Sequence, residues 1–359
     1  MYRKFKTYML NVPTACSCYD TSGFNRPNIV ISGWDSGAGD GSQWLNARII
    51  ALINQYISNA DMKVRLTRFM IGLENSVNDA NEFFMYHTRE EAAQELKIFI
   101  APEFYFRPPC IEESHGEAYS LQEYEELKRF FENYFQVRST IHPDEIMSHW
   151  LILCGTCVYN NTRTPGRVRI NNSIPAYYVD DQGNAHLQEI RKTATSNIDG
   201  VRRREDSNSF LNMRYSQIEA DKHYFENLKV FVEICLEHGN GYMLEFLKRR
   251  PDAAIKAHVI CAAGMPVQLA KTRTGTAIIR NDGMLKQTDT EMMSAFENYG
   301  GLPSVPVFGG VQQRQVYPWR DFDIRGGVVQ DPSYELYGNP HFEPRVYYIE
   351  ENAYDMGRA

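Results

Sequence analysis

The sequence predicts an α/β fold in one large domain, on three observations. Short apolar runs rich in β-branched and aromatic residues alternate with stretches of helical periodicity. One hairpin pattern interrupts the alternation near the middle of the chain. No linker, repeat or low-complexity tract divides residues 1–299, while from Gly300 the pattern fades into Gly, Pro and aromatic residues. Two regions follow from this: a domain over 1–299, and a C-terminal extension over 300–359 that packs on the domain or on a partner subunit.

The elements can be justified in order. Lys6 to Val12 reads as a first strand, followed by a Gly/Ser/Asp-rich loop over 32–41. Ser42 is placed to cap a helix carrying Leu45, Ile49, Leu52, Ile53 and Tyr56. Leu96 to Glu103 reads as a buried strand. Ser120 and Glu123 form a capping box before a helix bearing Tyr124, Leu127, Phe131 and Phe135. Trp150 to Tyr159 reads as another buried strand, and Asn172–Val179 and His186–Lys192 as a hairpin around Asp180–Asn184. Val230–Cys235, a Gly239-Asn240-Gly241 turn and a helix with Tyr242, Leu244, Phe246 and Leu247 come next. Strands over Ala257–Ala263 and Gly275–Arg280, with a turn at Asn281-Asp282-Gly283, complete the pattern.

Bulk properties narrow the function. The chain has 359 residues and is 43% apolar, so a sizeable core is expected. Its net charge of −7 argues against broad nucleic-acid binding, which needs a basic face. No run of 18 apolar residues is present, and Met1 to Lys6 is not followed by the apolar stretch of a secretory leader. Seven scattered cysteines then read as reduced thiols in a cytoplasmic protein.

Three chemically active side chains close apolar runs: Glu103, Lys192 and Cys235. A free thiol is only slightly ionised at neutral pH, so a nucleophilic cysteine needs help. An ammonium favours the thiolate and can stabilise an oxyanion, and a carboxylate can take the proton. The backbone N–H of Leu236, next to the thiol, is a second oxyanion donor.

Glu, Lys and Cys in this order at strand ends resemble the nitrilase, or carbon–nitrogen hydrolase, superfamily over roughly residues 5–290. Ala101-Pro102-Glu103-Phe104 is similar to its Pro-Glu motif. Asn172-Ser173, Asp181-Gln182-Gly183 and Arg191-Lys192 resemble the segment leading to its lysine. Ile234-Cys235-Leu236-Glu237 resembles its nucleophile motif, and Cys261-Ala262-Ala263 and Asp282-Gly283 its later strands. The 43 residues from Lys192 to Cys235 match the family, while the 89 from Glu103 to Lys192 imply an insertion near 108–148. Leu236 replaces the usual aromatic residue, and His238-Gly239-Asn240-Gly241 departs from the usual continuation.

The resemblance implies an α-β-β-α four-layer sandwich that associates as a homodimer or larger homo-oligomer. It implies hydrolysis of a non-peptide carbon–nitrogen bond, foremost a linear amide, without cofactor or metal. Cys235 is then the nucleophile, Glu103 the base, Lys192 the oxyanion stabiliser and Glu205 a second carboxylate supporting the lysine. Tyr105, Glu237 and His238 are candidates for the substrate pocket. Nitriles and N-carbamoyl compounds are alternative substrates; a non-catalytic ligand-binding member and an acyltransferase are alternative roles. The glutaminase module of an NAD synthetase is a less expected role, and so is the acyltransferase, whose kind is usually tied to a membrane segment.

Competing readings of the same residues are simpler. A lone cysteine is more often a small buried hydrophobe than a nucleophile. Glu103 could cap a segment, Lys192 could be a solvated strand end, and Arg202-Arg203-Arg204-Glu205 reads equally as a solvated charged loop. His238 could pair with Cys235 as a dyad. Cys154-x-x-Cys157 and Cys16-x-Cys18 fall short of the four ligands a structural zinc needs, so no metal is expected.

Overall fold

The computed structural model describes residues 4–11, 14–19, 27–30, 45–84, 95–108, 118–142, 147–161, 170–194, 220–273, 276–285, 295–298, 313–315 and 345–349. In chain order the elements begin β1 (Lys4–Asn11), β2 (Ala15–Tyr19), β3 (Pro27–Val30), α1 (Ala47–Tyr56), α2 (Ala60–Phe84) and β4 (Glu95–Ile100). There follow β5 (Tyr119–Ser120), α3 (Leu121–Ile141), β6 (Trp150–Leu153), β7 (Cys157–Asn160), β8 (Ile170–Val179), β9 (Ala185–Arg191) and β10 (Tyr224–Phe225). Then come β11 (Val230–Ile234), α4 (Leu236–Asn240), α5 (Tyr242–Arg249), β12 (Ala257–Ala262), β13 (Ala277–Asp282), β14 (Met284–Leu285), β15 (Ala295–Asn298), β16 (Gln313–Gln315) and β17 (Arg345–Ile349). No helix among the described residues is long and apolar enough to cross a membrane.

Two larger sheets organise the chain. One has nine strands, in the order β16-β17-β1-β4-β6-β8-β7-β5, with β9 paired to β8. The other has five, β10-β11-β12-β13-β15, and β14-β2-β3 form a small third sheet. β1, β4 and β6 are parallel, β8 runs against β6, and β9 runs against β8. β4 and β9 therefore point the same way. In the smaller of the two sheets β11, β12 and β13 are mutually parallel.

Strand periodicity sorts the side chains into separate cores. Leu96, Ile98 and Ile100 of β4, Leu151 and Leu153 of β6, and Ile174 and Ala176 of β8 pack with Val230, Val232 and Ile234 of β11, and with Val259 and Ile279. This core lies between the sheets. The alternate residues Phe99, Trp150, Ile152, Tyr177 and Val179 pack with Ile49 and Ile53 of α1, Leu66, Phe69 and Leu73 of α2, and Leu127 and Phe131 of α3. Behind β11, Phe231 meets Tyr242, Met243 and Phe246 of α5. Each fully buried Leu, Ile or Phe contributes about 1.5–3 kcal/mol, so a shift of one residue in any strand would invert many such contributions.

The capping box is present: the Ser120 hydroxyl accepts from Glu123 N–H while the Glu123 carboxylate accepts from Ser120 N–H. The hairpin forms as expected, with Asp180 Oδ1 accepting from the N–H groups of Gln182 and Asn184. Several details differ from the sequence reading. The cap of α1 is Asn46, whose side chain accepts from Arg48 N–H; Ser42 lies outside the described residues, and Leu45 precedes the helix. The 150–159 run is two strands, broken at Gly155 (φ +76°). Cys16 and Cys18 lie in β2. Asn281 and Asp282 end β13 instead of turning. Helical structure begins directly at Leu236, before the left-handed Gly241. The 25-residue α2 is an addition; its Met62, Leu66, Phe69, Met70, Leu73 and Val77 carry the helical stripe. In the C-terminal region β17 pairs antiparallel with β1, Tyr8 opposite Tyr348.

One side chain ties the sheets together at the ends of their strands. Asn281 Nδ2 on β13 donates to Leu10 O (3.2 Å) and to Ile100 O (2.7 Å), the latter on β4. Replacing it leaves buried carbonyls without that donor, at about 1–3 kcal/mol for each group. Asn281→Leu should lower the urea midpoint by an amount corresponding to at least about 2 kcal/mol, with the m-value unchanged. An unaltered midpoint would show that the latch contributes nothing.

Candidate functional site

Three strand ends meet beside this latch. Glu103 follows β4, Lys192 follows β9 and Cys235 follows β11, each at the carboxyl end of its strand. That is the end at which open parallel sheets present ligand sites. Lys192 Nζ donates to Glu103 Oε1 at 2.8 Å, and both side chains are fully buried. Asn172 Nδ2, on β8, donates to the same oxygen at 3.0 Å. The Cys235 thiol points its hydrogen bond at Ala263 O, 4.0 Å away, and lies near enough to the Glu103 carboxylate and the Lys192 ammonium to feel both charges. The ammonium also stands 5.8 Å from the centre of the Phe104 ring, a cation–π contact in a water-poor setting.

The backbone around Glu103 is closely packed. Thr14 Oγ1 donates to Glu103 O at 2.5 Å, and Phe104 N–H donates to Thr156 Oγ1 at 2.7 Å. Phe104 has φ +62°, a conformation that costs a non-glycine residue about 1–3 kcal/mol and is held by such contacts. Two glycines make room. A Cβ at Gly155 would stand 2.7 Å from Pro102 O, and one at Gly283 would stand 2.0 Å from Thr14 Oγ1. The break in the 150–159 run therefore lets the backbone approach Pro102-Glu103.

Cys235 also sits on a strained turn, at φ +47° and ψ −106°. Its N–H donates to Cys261 O at 2.9 Å, and its carbonyl accepts from His238 N–H at 2.9 Å. The residue is 3% exposed. Burial pushes the thiol well above its ordinary range and the Glu103 carboxylate adds to this, while the Lys192 ammonium opposes both. The resting thiol is consequently protonated, with a carboxylate beside it to receive the proton. Leu236 opens α4, where an N–H has no acceptor within its own helix.

The candidates for the pocket are placed elsewhere. The Tyr105 ring belongs to the core between the nine-stranded sheet and the helices, and its hydroxyl donates to Arg65 O at 2.9 Å. Burial raises its phenol, so it stays neutral. Glu237 is fully buried, and its carboxylate accepts from Thr193 N–H, Thr193 Oγ1 and Ile234 N–H. His238 is also fully buried, and bonds Glu233 rather than the thiol. These three support the site instead of lining it, and His238 makes no dyad with Cys235. Glu205 and the arginines at 202–204 lie outside the described residues. Cys154 and Cys157 are free thiols in the helix-facing core, buried and raised well above the ordinary range.

Sequence reasoning missed the groups that hold the three main residues. Asn172, Thr14 and Thr156 are polar side chains in buried positions, and such positions demand a partner. A second buried set is Glu233, His238 and His258, close enough together to suggest metal ligands. Its hydrogen bonds say otherwise. Gln268 N–H donates to His238 Nε2 at 2.9 Å, which leaves the ring hydrogen on Nδ1, 2.8 Å from Glu233 Oε2. That nitrogen has no lone pair to offer. His258 Nε2 reaches the same oxygen at 2.7 Å, and Glu233 Oε1 accepts from Met243 N–H at the start of α5.

Burial would raise the Glu233 carboxyl, but His258 and His238 outweigh it and hold it at about 2. A depressed carboxyl stabilises the fold above its unfolded value and ceases to as pH falls through the folded one. The stability difference between the parent protein and Glu233→Gln should therefore shrink as pH falls from about 5 toward 2, by on the order of 3 kcal/mol. Chemical denaturation across this range measures it; a difference independent of pH would contradict the depressed Glu233 carboxyl. Comparison with known proteins gives no match: no family model, curated sequence or solved structure is similar enough to place the chain.

Proposed function

We propose that the protein hydrolyses a non-peptide carbon–nitrogen bond, foremost that of a linear amide, through a cysteine thioester. The observation that carries this reading is the buried Glu103 carboxylate, which accepts from Lys192 Nζ at 2.8 Å and lies near enough to the Cys235 thiol to raise it. A buried acid, cation and thiol brought together from three separate strand ends match the needs of acyl transfer.

The steps follow from these groups. As Cys235 Sγ attacks the carbonyl carbon, its proton passes to Glu103. The oxyanion that forms is stabilised by the Lys192 ammonium and the Leu236 N–H. Glu103 returns the proton to the departing nitrogen, the carbon–nitrogen bond breaks, and ammonia or an amine leaves a thioester. Water then gives a proton to Glu103 and attacks the thioester carbon. Collapse of that intermediate releases the acid and the sulfur, which Glu103 reprotonates. Lys192 keeps the carboxylate in place throughout, and Asn172 shares that task.

The same reading proposes membership of the nitrilase superfamily, with its α-β-β-α sandwich and homo-oligomeric assembly. The core between the sheets, the helices packed outside β4 and β6, and α5 packed outside β11 support it. A cytoplasmic setting fits a thiol that must stay reduced. Glu205 remains the proposed second carboxylate.

A panel of simple amides, nitriles and N-carbamoyl amino acids, assayed for ammonia release, tests the reading. Turnover of an amide that vanishes in Cys235→Ala is expected; activity surviving in that variant would sink the mechanism. Glu103→Gln should cut turnover by about 10²–10⁴-fold, the usual weight of a general base. Because Glu103 also raises the thiol, the same variant should alkylate faster at Cys235 with iodoacetamide at neutral pH. Slower alkylation would mean that the carboxylate does not hold the thiol protonated.

A further inference from the structure

Lys192 and Cys235 belong to different sheets, yet the residues beside them are joined through one buried pair, His223 and Glu237. On one side of Lys192, Arg191 O faces His223 Nε2 at 3.3 Å, and the other ring nitrogen, Nδ1, faces Val232 O at 2.7 Å. Each ring nitrogen meets a carbonyl oxygen, so whichever carries the hydrogen donates to one of the two segments. On the other side, Thr193 donates to Glu237 Oε1 through N–H at 2.6 Å and through its hydroxyl at 2.9 Å. Glu237 Oε2 accepts from Ile234 N–H at 2.8 Å and lies 3.7 Å from His223 Nδ1. His223 and Glu237 are wholly buried.

The lysine is thus bracketed at 191 and 193 by groups anchored at 232 and 234 on the strand that delivers the thiol. Val232 and Ile234 lie on the same face of β11, two residues apart, and Arg191 and Thr193 straddle Lys192 in the same way. Hydrogen bonds to a buried carboxylate are short and directional, so the two segments have little freedom to slide.

We propose that the His223–Glu237 pair is a brace that fixes the Lys192 ammonium relative to the Cys235 sulfur, which makes both of them positioning residues. The proposal rests on the hydrolase reading and assigns these two residues a task within it. Loosening the brace moves the ammonium away from the thiol, and the groups that act directly on that thiol are Glu103 and Lys192. The thiolate then becomes harder to form while the fold persists.

The test follows iodoacetamide alkylation of Cys235 by mass spectrometry across pH, together with backbone deuterium exchange of residues 190–194 and 230–236. In Glu237→Gln the midpoint of the alkylation profile should move to higher pH, with about tenfold slower reaction at neutral pH for each unit of movement. Exchange should quicken in both segments together. Thr193→Val, which removes only the hydroxyl bond and is milder should the first variant fail to fold, should move the midpoint in the same direction. Thr193→Ser, which keeps the hydroxyl, should restore it. An unmoved midpoint in folded Glu237→Gln or Thr193→Val, even with a lowered melting temperature, overturns the brace. Amide turnover that survives in Cys235→Ala sinks the hydrolase reading instead; the brace then stands or falls on the paired exchange of the two segments.

Discussion

The rest of the site depends on a buried ion pair, Glu103 with Lys192. Removing two charges from water costs several kcal/mol for each, and their attraction offsets this only in good geometry with further hydrogen bonds. Here the bonds are supplied: Asn172 adds a donor to the carboxylate, and Phe104 turns its ring toward the ammonium. The surrounding chain is shaped by the same demand. Gly155 and Gly283 allow close approach, Thr14 and Thr156 hold the backbone, and the positive φ of Phe104 is the local strain that results.

Around this pair the acidic side chains near the thiol take three different tasks through environment alone. Glu103 faces the thiol. Glu233 carries two imidazoles and the first turn of α5, and is strongly acidic. Glu237 is raised by burial, which His223 and the N–H groups of Thr193 and Ile234 oppose, and it spends its oxygens on backbone. The two carboxylates within three residues of Cys235 thus stiffen the turn that presents the thiol. Strain at φ +47° is tolerated there because those supports leave the turn few alternatives.

The ends of β4, β9 and β11 were legible in the sequence because apolar runs stop where a charged or reactive residue begins. So were the Ser120 box and the Asp180 hairpin, where local spacing alone defines the hydrogen bonds. What local pattern cannot carry is distance between elements. Glu233 and His258 are separated by 25 residues, and nothing in either neighbourhood announces the other. Glu237 and His238 stood beside the thiol in sequence and therefore read as pocket residues, but a helix starting at Leu236 turns them into the interior. The glycine inside the 150–159 run was the available sign of a break, and the α2 stripe was the available sign of a helix. The cap moved from Ser42 to Asn46 because both residue types serve that position equally well.

The Asn281 latch also bears on the order in which the chain can be completed. Its amide meets carbonyls 271 and 181 residues earlier in the sequence. During synthesis the first sheet can gather β1, β4, β6, β8 and β9, yet Glu103 and Lys192 stay wet until β11 to β13 arrive to roof them. Ordering so distant a contact is entropically slow, as loop closure over long separations requires. The junction between the two sheets beside Glu103 is therefore completed only once residue 281 has joined residues 10 and 100.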